Sequence, residues 1–246
     1  MLLENLSYVE VEGYLSEKDI ILIPVGSVEQ HSPYGLIGTD FITAEEIAKE
    51  IGKRMDILVA PTIPYGMSQH HMAFPGTITL SPETFISFIK DIVNSLLSHG
   101  FKKIVFINGH GGNINPVNTA FEQLKYEGKP GIFRIISWFL LPEVQEVEKT
   151  LFGEENGFHA TPSEVSITKY FRREAFKTKP SNKKENEKIN TYWPLNKEEF
   201  KKAYPDGRMS SSPWLATQKY GKLIFEEAVR VIEEEIRKIM KTDPIL

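Results

Sequence analysis

The 246-residue chain contains no cysteine. Disulfides and thiolate metal sites are therefore excluded, and any metal ion must be held by histidine and carboxylate side chains, which suit Zn, Mn or Fe. The sequence also lacks an apolar run approaching the roughly 20 residues needed to span a bilayer. Because its N-terminus has no basic region followed by an apolar run, we predict no signal peptide and expect a cytoplasmic location.

An excess of charge of one sign is missing as well. The chain has 29 Lys and Arg against 33 Asp and Glu, and the net charge of −4 predicts neither a nucleic-acid partner nor a membrane partner. Hydrophobic residues at 41% and charged residues at 25% are ordinary proportions for a globular protein, and this length can bury a sizeable core. Since no internal repeat or linker is visible, we expect one domain over residues 1–246.

Apolar runs alternate with segments of helical period along the chain. The runs at 19–25, 57–61, 103–109 and 131–138 predict strands. Helices are predicted at 41–54, from an N-cap at Ser81 to Gly100, from Asn113 to about Gly128, and at about 213–240. The alternation predicts an α/β fold, a three-layer αβα sandwich with a mostly parallel central sheet.

Residues 174–212 do not follow this alternation. They are rich in Lys, Asn, Glu and Ser, contain several Pro, and show no clear period. Two interpretations are open, a long surface excursion or a flap at an active site or between subunits, because long loops in compact domains are often functional.

Polar clusters follow strands or begin helices at four places, and ligands bind beyond the carboxyl ends of the strands in parallel α/β sheets. The clusters are Glu29, His31 and Asp40; Gln69, His70 and His71; "NGHGGN" at 108–113; and "FHATPSEVS" at 158–166.

The spacing within these clusters suits a metal site. Glu29 and His31 are two residues apart, so both side chains point to the same side of an extended segment. Asp40 taken alone reads as a helix N-cap, and His110 lies between glycines that let the backbone approach a ligand closely. Glu164 completes a capping box that begins at Thr161, which is compatible with a role in the cleft.

Five stretches together resemble the creatininase (creatinine amidohydrolase) family. They are "PVGSVEQHSPYGLIGTD", "YGMSQHHMAFPGTITLSPET", "NGHGGN", "HATPSEVS" and "SSPWLATQKYGK", and the resemblance covers about residues 15–235. It implies a three-layer αβα fold, a site for two divalent metal ions (Zn, Mn or Fe), and a homo-oligomer, often a hexamer.

The resemblance also implies roles for individual residues. Glu29 resembles the ligand to one metal and His31 the ligand to the other, Asp40 the bridging carboxylate, and His110 a further ligand. His159 matches the family's catalytic histidine, with Glu164 as its predicted catalytic partner or as an additional metal ligand. The predicted substrate contacts are Tyr65, Ser68 and His70, of which His70 is also interpretable as a structural histidine or a contact to a neighbouring subunit.

Two departures from the family pattern argue against creatinine as the substrate. Creatininases carry an acidic ligand two residues after the histidine of the third motif, where this chain has Gly112. They also hold the flat substrate with a Trp-Asp pair, where this chain has Glu155 and Asn156. The Gly-Gly version is similar to relatives that cleave other amides, such as an archaeal formamide hydrolase (deformylase) and the peptidase of mycofactocin maturation.

We therefore predict a metal-dependent amidohydrolase that cleaves a small, often cyclic or formyl, amide C–N bond with a metal-activated water. His159 would give a proton to the leaving nitrogen or stabilise the tetrahedral intermediate. One alternative is a deformylase of a formamidopyrimidine ribonucleotide in archaeal riboflavin or deazaflavin biosynthesis, with Lys183, Lys184 and Arg208 as candidates to bind phosphate. A second alternative, a non-catalytic metal-binding assembly protein, is supported only by Gly112.

Overall fold

The computed structural model describes residues 1–177 and 192–243. Its centre is a sheet of parallel strands, which are β1 (Ile20–Val25), β2 (Leu58–Val59), β3 (Lys103–Asn108) and β4 (Ile132–Ser137), in the order β2-β1-β3-β4. The helices are α1 (Tyr8–Leu15), α2 (Thr39–Met55), α3 (Pro82–Ser98), α4 (Ile114–Tyr126), α5 (Pro142–Phe152), α6 (Pro162–Phe171), α7 (Lys197–Ala203) and α8 (Gln218–Met240).

The sheet is buried on both faces, as the continuous apolar sequence of β1 predicts. Ile20 and Leu22 pack on one face with apolar residues of α2, α5, α6 and α8. Ile21, Ile23 and Val25 pack on the other with apolar residues of α1, α3 and α4. The predicted α/β fold with helix layers on both sides of a parallel sheet is therefore confirmed.

The predicted start of α3 is confirmed by a hydrogen bond, whereas the predicted start of the last helix is not. Ser81 caps α3 by accepting a hydrogen bond from the Thr84 amide at 3.3 Å, with Pro82 as the first helical residue. The last helix differs from the prediction, because residues Pro213–Leu215 form a separate 3₁₀ turn and α8 begins after a cap at Thr217.

Three helices were not predicted from the sequence, α1, α5 and α7. The last of these lies within the 174–212 segment, where Asn196 caps it by accepting from the amides of Glu198 and Glu199. Residues 178–191, with Lys183 and Lys184, lie outside the described residues. Within the described part of the chain, no helix is both long enough and apolar enough to cross a bilayer.

Candidate metal centre and substrate cavity

Neighbouring strands deliver the polar motifs to one edge of the sheet. The last residue of β1, Val25, pairs with the last residue of β3, Asn108, so the segments that follow these strands begin side by side. One of them carries Glu29 and His31, and the other carries His110.

Three groups of possible ligand atoms meet at this edge, and two of them share Asp40. The third group is Glu29, His31 and His159, so His159 also lies within reach of a bound ion. The two groups that share Asp40 have the closer contacts. In the first group, His110 Nδ1 lies 3.2 Å from Glu29 Oε1 and 3.1 Å from Asp40 Oδ2. In the second, His31 Nε2 lies 2.9 Å from Asp40 Oδ1 and 3.9 Å from Glu164 Oε2. The Glu29, His31 and Asp40 side chains are at most 2% exposed, so water does not screen these contacts.

Backbone carbonyls fix which histidine nitrogens carry protons. His31 Nδ1 lies 3.1 Å from the Glu29 carbonyl oxygen, and His110 Nε2 lies 3.0 Å from the Met67 carbonyl oxygen. A carbonyl can only accept, so these nitrogens are the donors. In the neutral rings the opposite nitrogens therefore present lone pairs to the carboxylates, which is the orientation that metal-ligating histidines adopt.

Unsatisfied atoms at the centre match a bound cation. Glu29 Oε1, His31 Nε2 and Asp40 Oδ2 are buried, and with neutral histidine rings they have no hydrogen-bond partner among the described residues. Only a proton on His31 or His110, or a bound cation, can bridge the facing nitrogen and oxygen atoms. Buried groups of this kind are normally paired because the unpaired state costs about 1–3 kcal/mol each. Lone pairs that converge in this way fit divalent cations, and the nitrogen and oxygen donors suit Zn, Mn or Fe.

The carboxylates perturb the histidine pKa values strongly. Burial alone would lower the pKa of His31, but the Asp40 carboxylate raises it to about 10. Burial also opposes the charge on His110, yet Glu29 and Asp40 raise its pKa well above the ordinary value. Without a cation, protons therefore occupy these nitrogens, and a metal ion must displace them to bind.

Asp40 and Glu164 were each also interpretable as helix-capping residues, and the structure shows that only Glu164 caps its helix. Asp40 is the second residue of α2 and makes no cap, since the N-cap position is Gly38. Glu164 does both: its Oε1 accepts from the Thr161 amide at 2.5 Å in a capping box, while its Oε2 faces His31.

The glycine at position 112 is required by the backbone around it. A Cβ atom there would lie 2.3 Å from the Met67 carbonyl oxygen and 2.5 Å from His110 Nε2, far inside contact distance. An acidic side chain has no room at this position, and Glu164 belongs to the His31 group rather than to the His110 group.

A second layer of polar groups orients His159. Its Nε2 lies 2.8 Å from the Gln30 backbone carbonyl, so that nitrogen donates and Nδ1 is left facing Glu29 Oε1 at 3.6 Å. Burial and the neighbouring His31 lower the pKa of His159 to about 4. The ring stacks on His71, with centroids 4.3 Å apart.

Two residues of this layer, Gln30 and His71, were not assigned site roles from the sequence. The Gln30 amide nitrogen lies 2.9 Å from His71 Nδ1 and 3.0 Å from the Gly207 carbonyl oxygen. Because that amide donates to His71 Nδ1, the proton of the His71 ring is on Nε2, which lies 3.5 Å from Glu29 Oε1. In the sequence, the position of Gln30 directly between the predicted ligands Glu29 and His31 was the signal that could have identified Gln30 as a site residue.

A cavity of about 510 Å³ opens onto this centre. Its wall includes Glu29, Asp40, His110, His159 and Glu164, together with His70, His71, Glu148, Asn156 and Trp193. Of the predicted substrate contacts, His70 lines the cavity, whereas Ser68 is buried behind it and hydrogen-bonds Glu29 Oε2. Tyr65 is 44% exposed and lies outside the cavity lining.

Part of the 174–212 segment covers the cavity. Trp193, Pro194 and Leu195 line it, and Trp193 packs edge-on against His70 with ring centroids 5.0 Å apart. Phe200 of α7 packs against both His70 and His71. The described end of this segment is thus part of the site, which favours the flap interpretation over a free surface excursion.

Comparison with known proteins gives a family match over most of the chain. Residues 4–236 match the family model for creatininase, creatinine amidohydrolase. A 3-dehydro-scyllo-inosose hydrolase from Thermotoga maritima is 29% identical over 160 residues, 65% of this chain and 50% of that protein. A mycofactocin precursor peptide peptidase from Mycolicibacterium smegmatis is 35% identical over 116 residues, 45% of this chain and 47% of that protein. The chain spans about half the length of the curated relatives it matches.

Solved structures are similar over nearly the whole length. A crystal structure of creatinine amidohydrolase (creatininase) superimposes with a TM-score of 0.83, covering 98% of both chains at 23% identity. A Zn–Zn form and a Mn form of creatininase superimpose with TM-scores of 0.79 and 0.81. At this level of identity the superposition shows a shared fold.

Proposed function

The chain belongs to the creatininase family, and from that premise we propose that it is a metal-dependent amidohydrolase that cleaves the carbon–nitrogen bond of a small amide. The observation that carries this proposal is the pair of buried ligand groups that share Asp40 at the base of a cavity. Paired ligand groups of this kind are typical of hydrolytic sites that hold two metal ions.

Residues of the chain itself would hold the ions. Glu29, Asp40 and His110 form one group, and His31, Asp40 and Glu164 form the other. Divalent ions bound there would supply Lewis acidity, polarising the amide carbonyl and lowering the pKa of water towards about 7. Because Ser68 hydrogen-bonds Glu29 and the Thr161 amide hydrogen-bonds Glu164, these carboxylates are oriented before any ion arrives.

His159 is placed to move the proton of the reaction. With Nε2 donating to the Gln30 carbonyl, its Nδ1 lone pair faces the ligand cluster beside Glu29. We assign to Nδ1 the acceptance of a proton from the attacking water and its transfer to the leaving nitrogen, which is the usual division of work for a histidine in acyl transfer. Gln30 and His71 would hold the His159 ring in its orientation towards Glu29.

The cavity wall supports a substrate other than creatinine. The family's Trp-Asp pair corresponds to Glu155 and Asn156 here. Glu155 accepts a hydrogen bond from the Ser212 hydroxyl and is not part of the lining, whereas Asn156 lines the cavity. No aromatic side chain is therefore available at this position to stack on a flat ring.

The two alternatives receive less support from the described residues. For the deformylase, Arg208 is buried, pairs with Asp206 at 2.9 Å, and does not line the cavity, while Lys183 and Lys184 lie outside the described residues. The non-catalytic interpretation depends on Gly112, yet both ligand groups are complete without a side chain at that position.

Elemental analysis combined with a hydrolysis screen tests the proposal. Protein purified anaerobically should contain divalent metal and hydrolyse at least one member of a panel of cyclic amides and formamides, including the formamidopyrimidine ribonucleotide. Asp40→Asn should lose both metal and turnover while keeping the fold, and the exposed Asp91→Asn serves as the matched control. Full metal content and turnover in Asp40→Asn would contradict the assignment.

A further inference from the structure

Two residues of the cavity wall outside the ligand groups each carry a buried, unpaired acceptor atom. Glu148 of α5 is only 6% exposed and lines the cavity, and its Oε1 atom has no hydrogen-bond partner among the described residues. Asn156, which lines the same cavity, has a buried Oδ1 atom in the same condition. Neither residue belongs to the ligand groups.

These two side chains form one unit. The Asn156 amide nitrogen donates to Glu148 Oε2 at 3.2 Å, which leaves Glu148 Oε1 and Asn156 Oδ1 as free acceptors. The Ser163 hydroxyl also hydrogen-bonds this carboxyl and acts to lower its pKa, but among the described residues no hydrogen bond reaches Oε1. The unit therefore leaves two acceptors, Glu148 Oε1 and Asn156 Oδ1, unsatisfied among the described residues.

Within the described part of the chain, Glu148 forms no ion pair, although Asn156 and Ser163 hydrogen-bond its carboxyl. Burial raises the pKa of this carboxyl to about 7, and the nearby Glu164 contributes in the same direction. A buried carboxylate without a cationic partner costs several kcal/mol of desolvation. Glu148 nevertheless takes a buried position on α5, between the buried apolar residues Val144 and Phe152.

We propose that Glu148, oriented by Asn156, is a substrate-recognition residue that binds a cationic N–H donor, an ammonium or similar group, carried by the amide substrate. The unit offers two acceptors for one nitrogen with several hydrogens, and hydrogen bonds to a charged partner are the strong ones. This inference rests on the proposed function in one respect, that the cavity is where the substrate binds.

Pairs of amides that differ only in the charged group test it. Glycinamide, β-alaninamide and 4-aminobutanamide each have a neutral isostere in which methyl replaces ammonium, namely propanamide, butanamide and pentanamide. Binding to protein reconstituted with Zn²⁺ is measured by calorimetry, with the metal present so that the ligand carboxylates do not attract ammonium nonspecifically. We expect at least one amine to bind about tenfold or more tightly than its isostere, as a charged hydrogen bond predicts.

Substitution of Glu148 completes the test. Glu148→Gln keeps the shape and removes the charge, so the preference for the amine should fall to within about twofold of its isostere, while the exposed Glu146→Gln on the same helix should leave it unchanged. Equal binding of all three pairs to the unaltered protein would overturn the inference without recourse to any variant. A preference that survives in a folded Glu148→Gln protein would overturn it as well.

Failure of this inference and failure of the proposed function give different results. Binding is measured without reference to turnover, so a Glu148-dependent preference in a protein that hydrolyses no amide would contradict only the hydrolase proposal. Turnover of amides with no preference for a cationic group, in the unaltered protein, would contradict only the assignment of Glu148.

Discussion

At the scale of single residues, two adjacent glycines after His110 occupy very different surroundings. A Cβ at Gly112 would collide with the Met67 carbonyl and the His110 ring, whereas a Cβ at Gly111 would meet nothing within 4 Å. The same carbonyl is the acceptor that holds His110 Nε2. The close approach of the Met67 backbone to the His110 ring therefore requires a glycine at position 112 but not at position 111.

Substituting these glycines separates their roles. Gly112→Ala should displace His110, lower the metal content, and cost about 1–3 kcal/mol of unfolding free energy, as overpacking does. Gly111→Ala should change the unfolding free energy by no more than about 0.5 kcal/mol, as exposed substitutions do. Its metal content should equal that of the unaltered protein. Chemical denaturation and elemental analysis measure the two effects, and equal behaviour of the two variants would contradict the packing argument.

The raised pKa of Glu148 predicts that the stability of the folded protein depends on pH. Its pKa is raised from 4.5 to about 7 in the folded protein, so the folded state binds more protons than the unfolded state between these values. Stability from this group is thus fully present below about pH 4.5 and is lost as the pH rises through 7. The loss amounts to at most about 3.4 kcal/mol, since the pKa rises by about 2.5 and each unit is worth 1.36 kcal/mol.

The comparison with Glu148→Gln isolates that loss from other titrating groups. Without added ligand, the two proteins should have similar melting temperatures near pH 5, and the variant should be more stable by several degrees near pH 8, at roughly 2–4 °C per kcal/mol. Thermal denaturation followed by circular dichroism provides the measurement. A difference that does not change with pH would show that Glu148 titrates normally.

At the scale of elements, α6 and α8 cross in close contact next to the site. A Cβ at Gly221 of α8 would lie 2.0 Å from the Ser166 carbonyl oxygen of α6, so the backbones meet without a side chain between them. Ser166 is two residues beyond Glu164, whose position depends on the start of α6 at the Thr161 cap. The packing of two helices thus sets the depth at which one ligand carboxylate enters the cluster.

Gly221→Ala should push these helices apart. We expect a loss of about 1–3 kcal/mol in unfolding free energy, as overpacking costs, and a lower metal content because Glu164 moves with α6. The control is Gly13→Ala in α1, where nothing lies within 4 Å of the added atom and alanine should instead stabilise by about 0.5–1 kcal/mol. Destabilisation of equal size in both variants would argue against the contact.

The sequence predicted elements where the local signal was strong and missed those where function interrupts it. The apolar run of β1, the Ser81 cap and the Thr161–Glu164 capping box each appear as expected. Helix α5 was missed although it begins at a proline, because the polar Glu148 falls between Val144 and Phe152 on its buried face. A buried carboxylate at this position breaks the apolar period that identifies a helix.

The same distinction applies to the site. The convergence of Glu29, His31, Asp40 and His110 was predictable because they stand after strand ends or near a helix start, and parallel strands deliver such positions to one edge. The placement of Gln30, His71 and Glu148 beside the cluster was not predicted, because it depends on partners far away in sequence, such as the contact between Gln30 and His71. Only the fold brings these residues together.

At the scale of the whole molecule, the ligand cluster joins separate parts of the chain. Glu29 and His31 follow β1, Asp40 begins α2, His110 follows β3 and Glu164 begins α6. In the absence of a cation, protonated His31 and His110 balance the buried carboxylates, and a metal ion replaces those protons. Metal binding should therefore contribute to the stability of the entire fold, since the folded state presents the assembled site and the unfolded chain does not.

The effect of metal removal follows from mass action. A ligand present at about 100 times its dissociation constant stabilises the folded state by about 2.7 kcal/mol, which is worth about 5–10 °C in melting temperature for a chain of this size. Treatment with EDTA should lower the melting temperature by that amount, and added Zn²⁺ or Mn²⁺ should restore it. Asp40→Asn removes the carboxylate common to both groups, so its melting temperature should not respond to either treatment, whereas Asp91→Asn should respond like the unaltered protein. A chelator response retained in full by Asp40→Asn would place the stabilising metal elsewhere in the molecule.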